Sequence, residues 1–176
     1  MGPCAVREAR PQDLAAVQRI YAHHVLTGLA SFELEPPDEA EIRRRQEALA
    51  GRGLPFLVAE LEGAVRGYAY AGPYRVRPAY RYTVEDSVYV APEAMGRGLG
   101  RALLGELVRC CAGLGMRQMV AVIGDSGNLA SIRLHEAHGF SRAGLLRSVG
   151  FKFGRWVDSV LMQRGLGDGD ATLPRP

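Results

Sequence analysis

The chain has 176 residues, of which 47% are hydrophobic and 23% charged, which predicts a single domain with a real hydrophobic core. With a net charge of +3, it is only mildly basic, and no Lys/Arg run predicts nucleic-acid binding; the arginines at 43–45 are interpreted as the solvated face of a helix. No apolar run approaches the roughly 18 residues of a membrane span, and no signal peptide is visible. Three cysteines without metal-ligand spacing favour a reducing cytoplasm.

Hydrophobic periodicity and turn residues divide the chain into predicted elements. In chain order these are a strand at 4–9, a helix opened by Pro11, a helix at 38–50, strands at 56–60, 65–72 and 80–90, a helix from about 99 to 114, a strand at 117–124, a short helix from 128 to 139, and strands near 141–150 and 157–164. The strand at 117–124 is fully apolar, which predicts a central position in the sheet. The order βααβββαβαββ predicts a mixed α/β domain over residues 1–165, followed by a flexible C-terminal tail at 166–176.

A glycine-rich turn precedes the third predicted helix. Gly96, Gly98 and Gly100 leave the backbone bare where the first helical amides have no internal partner and the helix dipole is positive. Such a turn can bind phosphate, and Arg97 and Arg101 add positive charge. The spacing fits neither a Walker loop nor a dinucleotide fingerprint. The alternative interpretation is a plain strand-to-helix turn.

The turn resembles the Q/R-x-x-G-x-G/A pyrophosphate loop of the GNAT family of N-acetyltransferases, with Met95 in place of the usual Gln or Arg. A second stretch, at 128–140, resembles the family's N-x-x-(A/S)-x-x-L-Y-x-x-x-G-F segment, with His135 where many relatives have Tyr. That histidine is shared with the phosphinothricin and methionine sulfoximine N-acetyltransferase subfamily, which the chain also resembles in several collinear stretches. Those stretches lie at 20–23, 32–36, 69–73, 75–80, 85–90, 120–124 and 150–158.

The resemblance implies the acyl-CoA N-acyltransferase fold of this family, a twisted, mostly antiparallel sheet flanked by helices. It also implies a homodimer, acetyl-CoA as co-substrate, and a small amino-acid-like acceptor of the phosphinothricin, methionine sulfoximine or methionine sulfone type. The cofactor-binding residues that it implies are Val88, Tyr89, Val90, Met95, Gly96, Arg97, Gly98, Leu99, Gly100, Arg101, Asn128 and Ser131. The substrate-binding residues that it implies are Phe32, Arg75, Arg77, Glu85 and Lys152.

Acetyl transfer to an amine needs a base, because a free amine is mostly protonated at pH 7. Glu85, on a strand, and His135, on the helix after the next strand, are the candidate proton carriers. Neighbouring parallel strands could bring both side chains to one cleft, and by resemblance they are the catalytic pair. Arg75 and Arg77 suit bidentate binding of a carboxylate or phosphinate, with Arg77 as the first candidate.

Most of these residues also have a structural interpretation. Glu85 could be a surface acid, His135 a hydrogen-bonded helix histidine, Phe32 a core residue and Asn128 a helix cap. The pair His135 and His138 is one residue too short for an H-E-x-x-H site, so no metal is predicted. Two other functions stay open: acetylation of a different amine (a protein N-terminus, a polyamine or an antibiotic), and a non-catalytic domain that binds acetyl-CoA.

Overall fold

The computed structural model describes residues 4–174 and has the element order predicted from the sequence. The strands are β1 (Ala5–Glu8), β2 (Phe56–Leu61), β3 (Ala64–Pro73), β4 (Thr83–Val90), β5 (Gln118–Gly124), β6 (Ser141–Lys152) and β7 (Arg155–Gly165). The helices are α1 (Leu14–Thr27), α2 (Glu39–Ala50), α3 (Leu99–Gly113) and α4 (Leu129–Glu136). The predicted mixed α/β class is confirmed.

All seven strands belong to one sheet, in the order β1-β2-β3-β4-β5-β7-β6. Neighbouring strands run antiparallel except β4 and β5, which are parallel. Strand β5 is paired on both sides, with β4 and with β7, so the central position predicted for this apolar strand is confirmed.

The single parallel pair separates along its length. β4 and β5 are paired only from Thr83 and Gln118 to Asp86 and Ala121. Beyond these residues β4 stays on β3 and β5 stays on β7, so a gap, called here the β4–β5 gap, opens toward the C-terminal ends of both strands.

The register of β4 decides which backbone groups face this gap. The amide of Ala91 donates to the carbonyl of Arg66 at 2.8 Å, which makes that pair a hydrogen-bonded one. Because hydrogen-bonded pairs alternate along an antiparallel ladder, the N–H and C=O groups of Val88 and Val90 point away from β3 and into the gap. The Val90 carbonyl accepts a hydrogen bond from His24 Nε2 at 2.9 Å.

Helices cover both faces of the sheet. Helices α1 and α2 lie on one face, and α3 packs on the other, where a Cβ at Gly67 would come within 3.1 Å of Leu103. Leu99, Leu103 and Leu107, which the sequence placed at helical spacing, are buried, and each contributes about 1.5–3 kcal/mol. Cys110 and Leu114, placed at the same spacing, are half-buried and exposed. The buried apolar residues of α3 are Leu99, Leu103, Leu104, Leu107 and Cys111.

Several predicted boundaries are wrong by a few residues. Residues Pro78–Tyr80 form a short 3-10 turn, so β4 begins at Thr83 and not at residue 80. The amides of Tyr80 and Arg81 donate to the carbonyls of Arg77 and Pro78 within this turn, so they are not available to the sheet. Strands β6 and β7 are longer than predicted, because Phe153 and Gly154 connect them directly with φ of 50° and 72°.

The segment after β7 begins in contact with the sheet. Leu166 is fully buried in the core, and the guanidinium of Arg117 donates to the hydroxyl of Thr172 at 2.6 Å and to the carbonyl of Leu173 at 2.9 Å. The flexible tail at 166–176 stays a prediction, and its last two residues lie outside the described part of the chain.

Candidate active site

Glu85 lines a cavity of about 350 Å³ on the α1 and α2 face of the sheet, here called the β4 cavity. The cavity borders the β4–β5 gap, because residues of both strands line it. Its other walls come from α1, from the loop after α1, and from β3 and β7. They include Tyr21, Phe32, Glu33, Tyr70, Ser87 and Ser159.

The carboxylate of Glu85 is half-buried and forms no ion pair with any residue between 4 and 174. Burial raises its pKa, the negative charge of Asp86 raises it further, and Arg75 partly opposes the shift. The other carboxylate of the cavity, on Glu33, accepts hydrogen bonds from Tyr21 at 2.9 Å and from Arg45 at 2.7 Å. Glu85 is therefore the carboxylate of this cavity that is free to take a proton.

The loop after α1 is fixed over the sheet by the predicted residues Phe32 and Lys152. A Cβ on Gly150 would lie 2.5 Å from the Phe32 ring, so the ring can rest there only because the position is Gly. The buried ammonium of Lys152 donates to the Ser31 carbonyl at 2.7 Å. Burial lowers the pKa of Lys152, and Glu33 partly opposes this. These contacts shape the wall of the β4 cavity.

On the opposite face of β4, Asp86 and His135 form a buried pair. His135 Nδ1 donates to the Ser131 carbonyl at 2.7 Å, and Nε2 donates to Asp86 Oδ2 at 2.9 Å. Burial alone lowers the pKa of His135, but the hydrogen bond and charge of Asp86, with the Ser131 carbonyl, outweigh it and leave the pKa raised. Both ring nitrogens are occupied, so the imidazole holds its proton inside the protein.

The expectation that Glu85 and His135 point into one cleft is therefore wrong. Successive side chains of a strand point to opposite faces, and His135 is bonded to Asp86, the neighbour of Glu85. The two side chains lie on opposite sides of the β4–β5 gap. His135 borders the gap on the α4 side, together with Asn128. Of the two interpretations of His135, the geometry favours the hydrogen-bonded helix histidine.

Arg75 and Arg77 line a second cavity, of about 240 Å³, together with Arg52 and Arg81; it is called here the arginine cavity. Within residues 4–174 none of these four guanidiniums has a carboxylate partner. Arg75 acts electrostatically on Glu85. Its charge therefore reaches the β4 cavity, although neither Arg75 nor Arg77 forms part of the wall of that cavity.

The glycine-rich turn has the backbone that the sequence predicts. Gly96 and Gly98 have φ of 74° and 86°, and Gly98 is the N-cap of α3 with no side-chain cap. The amides at the start of α3 thus face outward beside the exposed Arg101. Arg97 is engaged elsewhere, in a 2.6 Å ion pair with Glu62.

The remaining predicted cofactor residues are also located. Val88, Tyr89 and Val90 border the gap, Met95 is exposed before the turn, and Asn128 caps α4 by accepting from the Ser131 amide at 3.2 Å. This is the capping role that the sequence left open for Asn128. Contact of these residues with a cofactor stays a prediction.

Three features of the site were not singled out from the sequence. Arg45 was taken for a solvated helix residue, yet it anchors Glu33 at the cavity wall. Asp86 Oδ1 and the Ser159 hydroxyl are buried and have no hydrogen-bond partner within the described residues. The alternation of strand side chains could have identified Asp86, because it directs this acid to the face of β4 that Glu85 does not occupy.

Between residues 4 and 174 the structure has no group of three or more His, Cys, Asp or Glu side chains that could hold a metal ion. No helix in that same range is long and apolar enough to cross a bilayer.

Residues 6–161 match the family described as the acetyltransferase (GNAT) domain, and the chain belongs to the GNAT acetyltransferases. The predicted family, fold and class of enzyme are thereby confirmed. The chain is 59% identical over 171 residues to the phosphinothricin N-acetyltransferase of Alcaligenes faecalis, covering 97% of this chain and 87% of that protein. It is 44% identical over 158 residues to the L-methionine sulfoximine/L-methionine sulfone acetyltransferase of Salmonella typhimurium, covering 90% of this chain and 92% of that protein.

A solved structure of a relative has the same fold as this chain. A GNAT superfamily phosphinothricin acetyltransferase from Sinorhizobium meliloti, crystallised in complex with acetyl-CoA, superposes with a TM-score of 0.95 at 50% identity. The match covers 98% of this chain and 93% of that one. The predicted co-substrate, acetyl-CoA, is the ligand of this relative, and the residues present here fit it. The backbone groups of Val88 and the amide of Val90 face the β4–β5 gap, and the first amides of α3 have no side-chain cap at the turn.

Proposed function

We propose that the protein transfers the acetyl group of acetyl-CoA to the α-amine of a small amino acid of the phosphinothricin, methionine sulfoximine or methionine sulfone type. The observation that carries the proposal is the unpaired, half-buried Glu85 in a cavity beside the β4–β5 gap. The names of the relatives from Alcaligenes faecalis and Salmonella typhimurium support this acceptor class.

Glu85 is proposed as the general base. Its raised pKa brings it closer to neutral pH and to the pKa of the amine, which favours proton transfer. The amine nitrogen forms a bond to the acetyl carbon while its proton passes to Glu85, directly or through water. The carbon–sulfur bond then breaks, the coenzyme A thiolate leaves and takes a proton from solvent, and Glu85 releases its proton to solvent.

The β4 backbone is proposed to hold the thioester end of acetyl-CoA. The pantetheine arm of acetyl-CoA contains amide groups, which match the backbone groups of Val88 and the amide of Val90 that face the gap. A backbone N–H aimed at the acetyl oxygen stabilises the negative charge that develops there. The pyrophosphate is assigned to the amides of residues 96–101, with Arg101 as the charged side chain that has no ion pair within the described residues.

His135 is proposed to act through Asp86 and not on the amine itself. Its two ring nitrogens are already bonded, and a buried ion pair at Asp86 fixes β4 at the last residue before the gap opens. His135 and Asp86 are therefore positioning residues for Glu85 and for the backbone of Val88.

For the acid group of the acceptor, Arg75 is favoured over Arg77. Both have guanidinium groups suited to a carboxylate or phosphinate, but Arg75 is the one whose charge acts on Glu85. The amine of a small amino acid lies only a few bonds from its acid group, so the recognising cation must be near the base.

A thiol-release assay with acetyl-CoA and an acceptor panel tests the proposal. Phosphinothricin, methionine sulfoximine and methionine sulfone should be acetylated on the α-amine, and Arg75→Ala should raise KM for these acceptors more than Arg77→Ala does. Arg19→Ala, an exposed change on α1, is the control. Better turnover of spermidine or a peptide amine would show a different acceptor class, and acetyl-CoA binding without turnover of any amine would show a non-catalytic module.

The protein is also proposed to be a homodimer that pairs through the β6–β7 hairpin. Edge strand β6, the adjoining turn and the start of β7 expose large apolar side chains, a pattern typical of an interface. These side chains are Leu145, Leu146, Val149, Phe151, Phe153 and Trp156.

The mass in solution tests the homodimer. Light scattering should give twice the chain mass for the unmodified protein, and Leu146→Arg should shift it toward the monomer. Leu34→Arg, at another exposed leucine, should leave the dimer intact. A monomeric mass for the unmodified protein would contradict the proposal.

A cytoplasmic location is proposed on the cysteine chemistry. Cys4, Cys110 and Cys111 are all free thiols, which suits a reducing compartment. Cell fractionation with an antibody against the chain should place it with cytoplasmic markers, and recovery in the membrane or extracellular fraction would contradict this.

A further inference from the structure

A larger cavity, of about 400 Å³, lies between α2 and strands β2 and β3; it is called here the aromatic cavity. Its floor is formed by the rings of Phe56, Tyr68 and Tyr70, whose planes are within 9–13° of one another. Ile42 and Leu49 of α2 form its opposite, apolar wall.

The size of this space sets it apart from a packing defect. Protein interiors are packed to crystal density, and an apolar cavity of about 150 Å³ already holds a benzene molecule. At about 400 Å³, the aromatic cavity falls in the usual range for small-molecule sites, roughly 300–1,000 Å³. It shares two walls, Tyr21 and Tyr70, with the β4 cavity that contains Glu85.

The sheet register gives a route between the two cavities. Glu85 is directly opposite Gly72 on β3, and residues opposite each other point to the same face. A Cβ on Gly72 would meet only Leu49 Cδ2, at 3.9 Å, so the space above this glycine is open. An amino acid whose amine lies at Glu85 can therefore extend its side chain over Gly72 toward the rings of Tyr70 and Phe56.

Charge at the rim excludes one class of side chain. Arg45 and Arg52 line the cavity, and no carboxylate does. Arg45 is bonded to Glu33 and Glu41, whereas Arg52 has no ion pair among residues 4–174. The cavity is therefore unsuited to a lysine-like cation and suited to a neutral aromatic ring.

We infer that the aromatic cavity binds the side chain of aromatic α-amino acids, so that L-phenylalanine is an acceptor in addition to the small polar amino acids. The inference rests on the proposed function, which places the acceptor amine at Glu85. The ring would pack against Tyr68 and Tyr70, where aromatic contacts add to the burial of apolar area.

The test compares kcat/KM for L-phenylalanine and for methionine sulfone, expressed as a ratio for each protein. Gly72→Val closes the route and should lower the ratio roughly tenfold or more, since a filled hydrophobic pocket discriminates on that scale. Ala48→Trp fills the same cavity from its exposed rim, far from Glu85, and should lower the ratio in the same direction.

Gly144→Val is the matched control. Like Gly72, Gly144 is a strand glycine without positive φ, and its Cβ would meet a single leucine atom at 3.9 Å. The ratio of the two kcat/KM values for Gly144→Val should equal that of the unmodified protein. Acetylation of methionine sulfone without acetylation of L-phenylalanine, or an unchanged ratio in Gly72→Val and Ala48→Trp, would overturn the inference alone. Failure of both acceptors in the unmodified protein would instead overturn the proposed function.

Discussion

Glu85 and Asp86 are adjacent carboxylates on one strand, yet they lie in opposite surroundings. Glu85 faces the α1 and α2 side, lines an open cavity and has no ion pair within the described residues. Asp86 faces the other side, is buried, and is bonded to His135 at 2.9 Å. The alternation of strand side chains produces this contrast from two consecutive residues.

The contrast separates two uses of charge. A carboxylate in an ion pair keeps its charge and fixes structure, whereas an unpaired, partly buried one has a raised pKa and can accept a proton. On this account Glu85 acts on the substrate, and Asp86 with His135 holds β4 where it leaves β5.

Glu85→Gln should cause the largest loss of activity. Glutamine keeps the shape and hydrogen bonding of the side chain but cannot accept the amine proton, so kcat should fall about 10²–10⁴-fold. Steady-state kinetics should show KM for acetyl-CoA little changed. A variant with a rate within twofold of the unmodified protein would remove Glu85 from the chemistry.

Asp86→Asn should cause the largest loss of stability. Breaking a buried ion pair costs about 3–5 kcal/mol, which urea unfolding at pH 6 should detect. Because the folded pKa of His135 is raised, the pair stabilises fully below the unfolded pKa of about 6.5, and this stability is lost as pH rises through the folded pKa. The difference between Asp86→Asn and the unmodified protein should therefore shrink at higher pH.

The neighbouring residue supplies the control for stability. Glu85→Gln removes a carboxylate that has no ion pair within residues 4–174, so its free energy of unfolding should not fall. An equal loss of stability in Glu85→Gln and Asp86→Asn would contradict the division between the two carboxylates.

Arg101→Glu should have a smaller effect, confined to the cofactor. A negative side chain beside the first amides of α3 opposes phosphate binding, and loss of a charged hydrogen bond of about 1.5 kcal/mol corresponds to a rise in KM for acetyl-CoA of roughly tenfold. Arg19→Glu makes the same charge change on the exposed side of α1. Equal KM values for the two variants would separate the glycine-rich turn from phosphate binding.

The fold was largely predictable because its signals are local. Helical spacing of leucines in α3 and the apolar run of β5 identified a helix and a central strand directly. The start of β4 was missed, since the 3-10 turn at Pro78–Tyr80 depends on how the loop packs.

The site was less predictable, because its electrostatics depend on partners distant in sequence. Glu85 and His135 were singled out from the sequence. The hydrogen bond between His135 and Asp86 was not predicted, because it joins residues 49 positions apart. Likewise, Arg45 belongs to a polar helix face and reaches Glu33 only after the loop folds back. No local pattern distinguishes such a side chain from a solvated one.

The central claim is that Glu85, and not His135, takes the amine proton. Its most direct test is kcat/KM for methionine sulfone measured against pH for the unmodified protein, Glu85→Gln and His135→Gln. The unmodified protein should lose activity on acidification as Glu85 becomes protonated at its raised pKa, and His135→Gln should keep this acidic limb. Glu85→Gln should lack the limb set by Glu85 and keep only the dependence set by protonation of the amine itself. An acidic limb that survives in Glu85→Gln and disappears in His135→Gln would contradict the account.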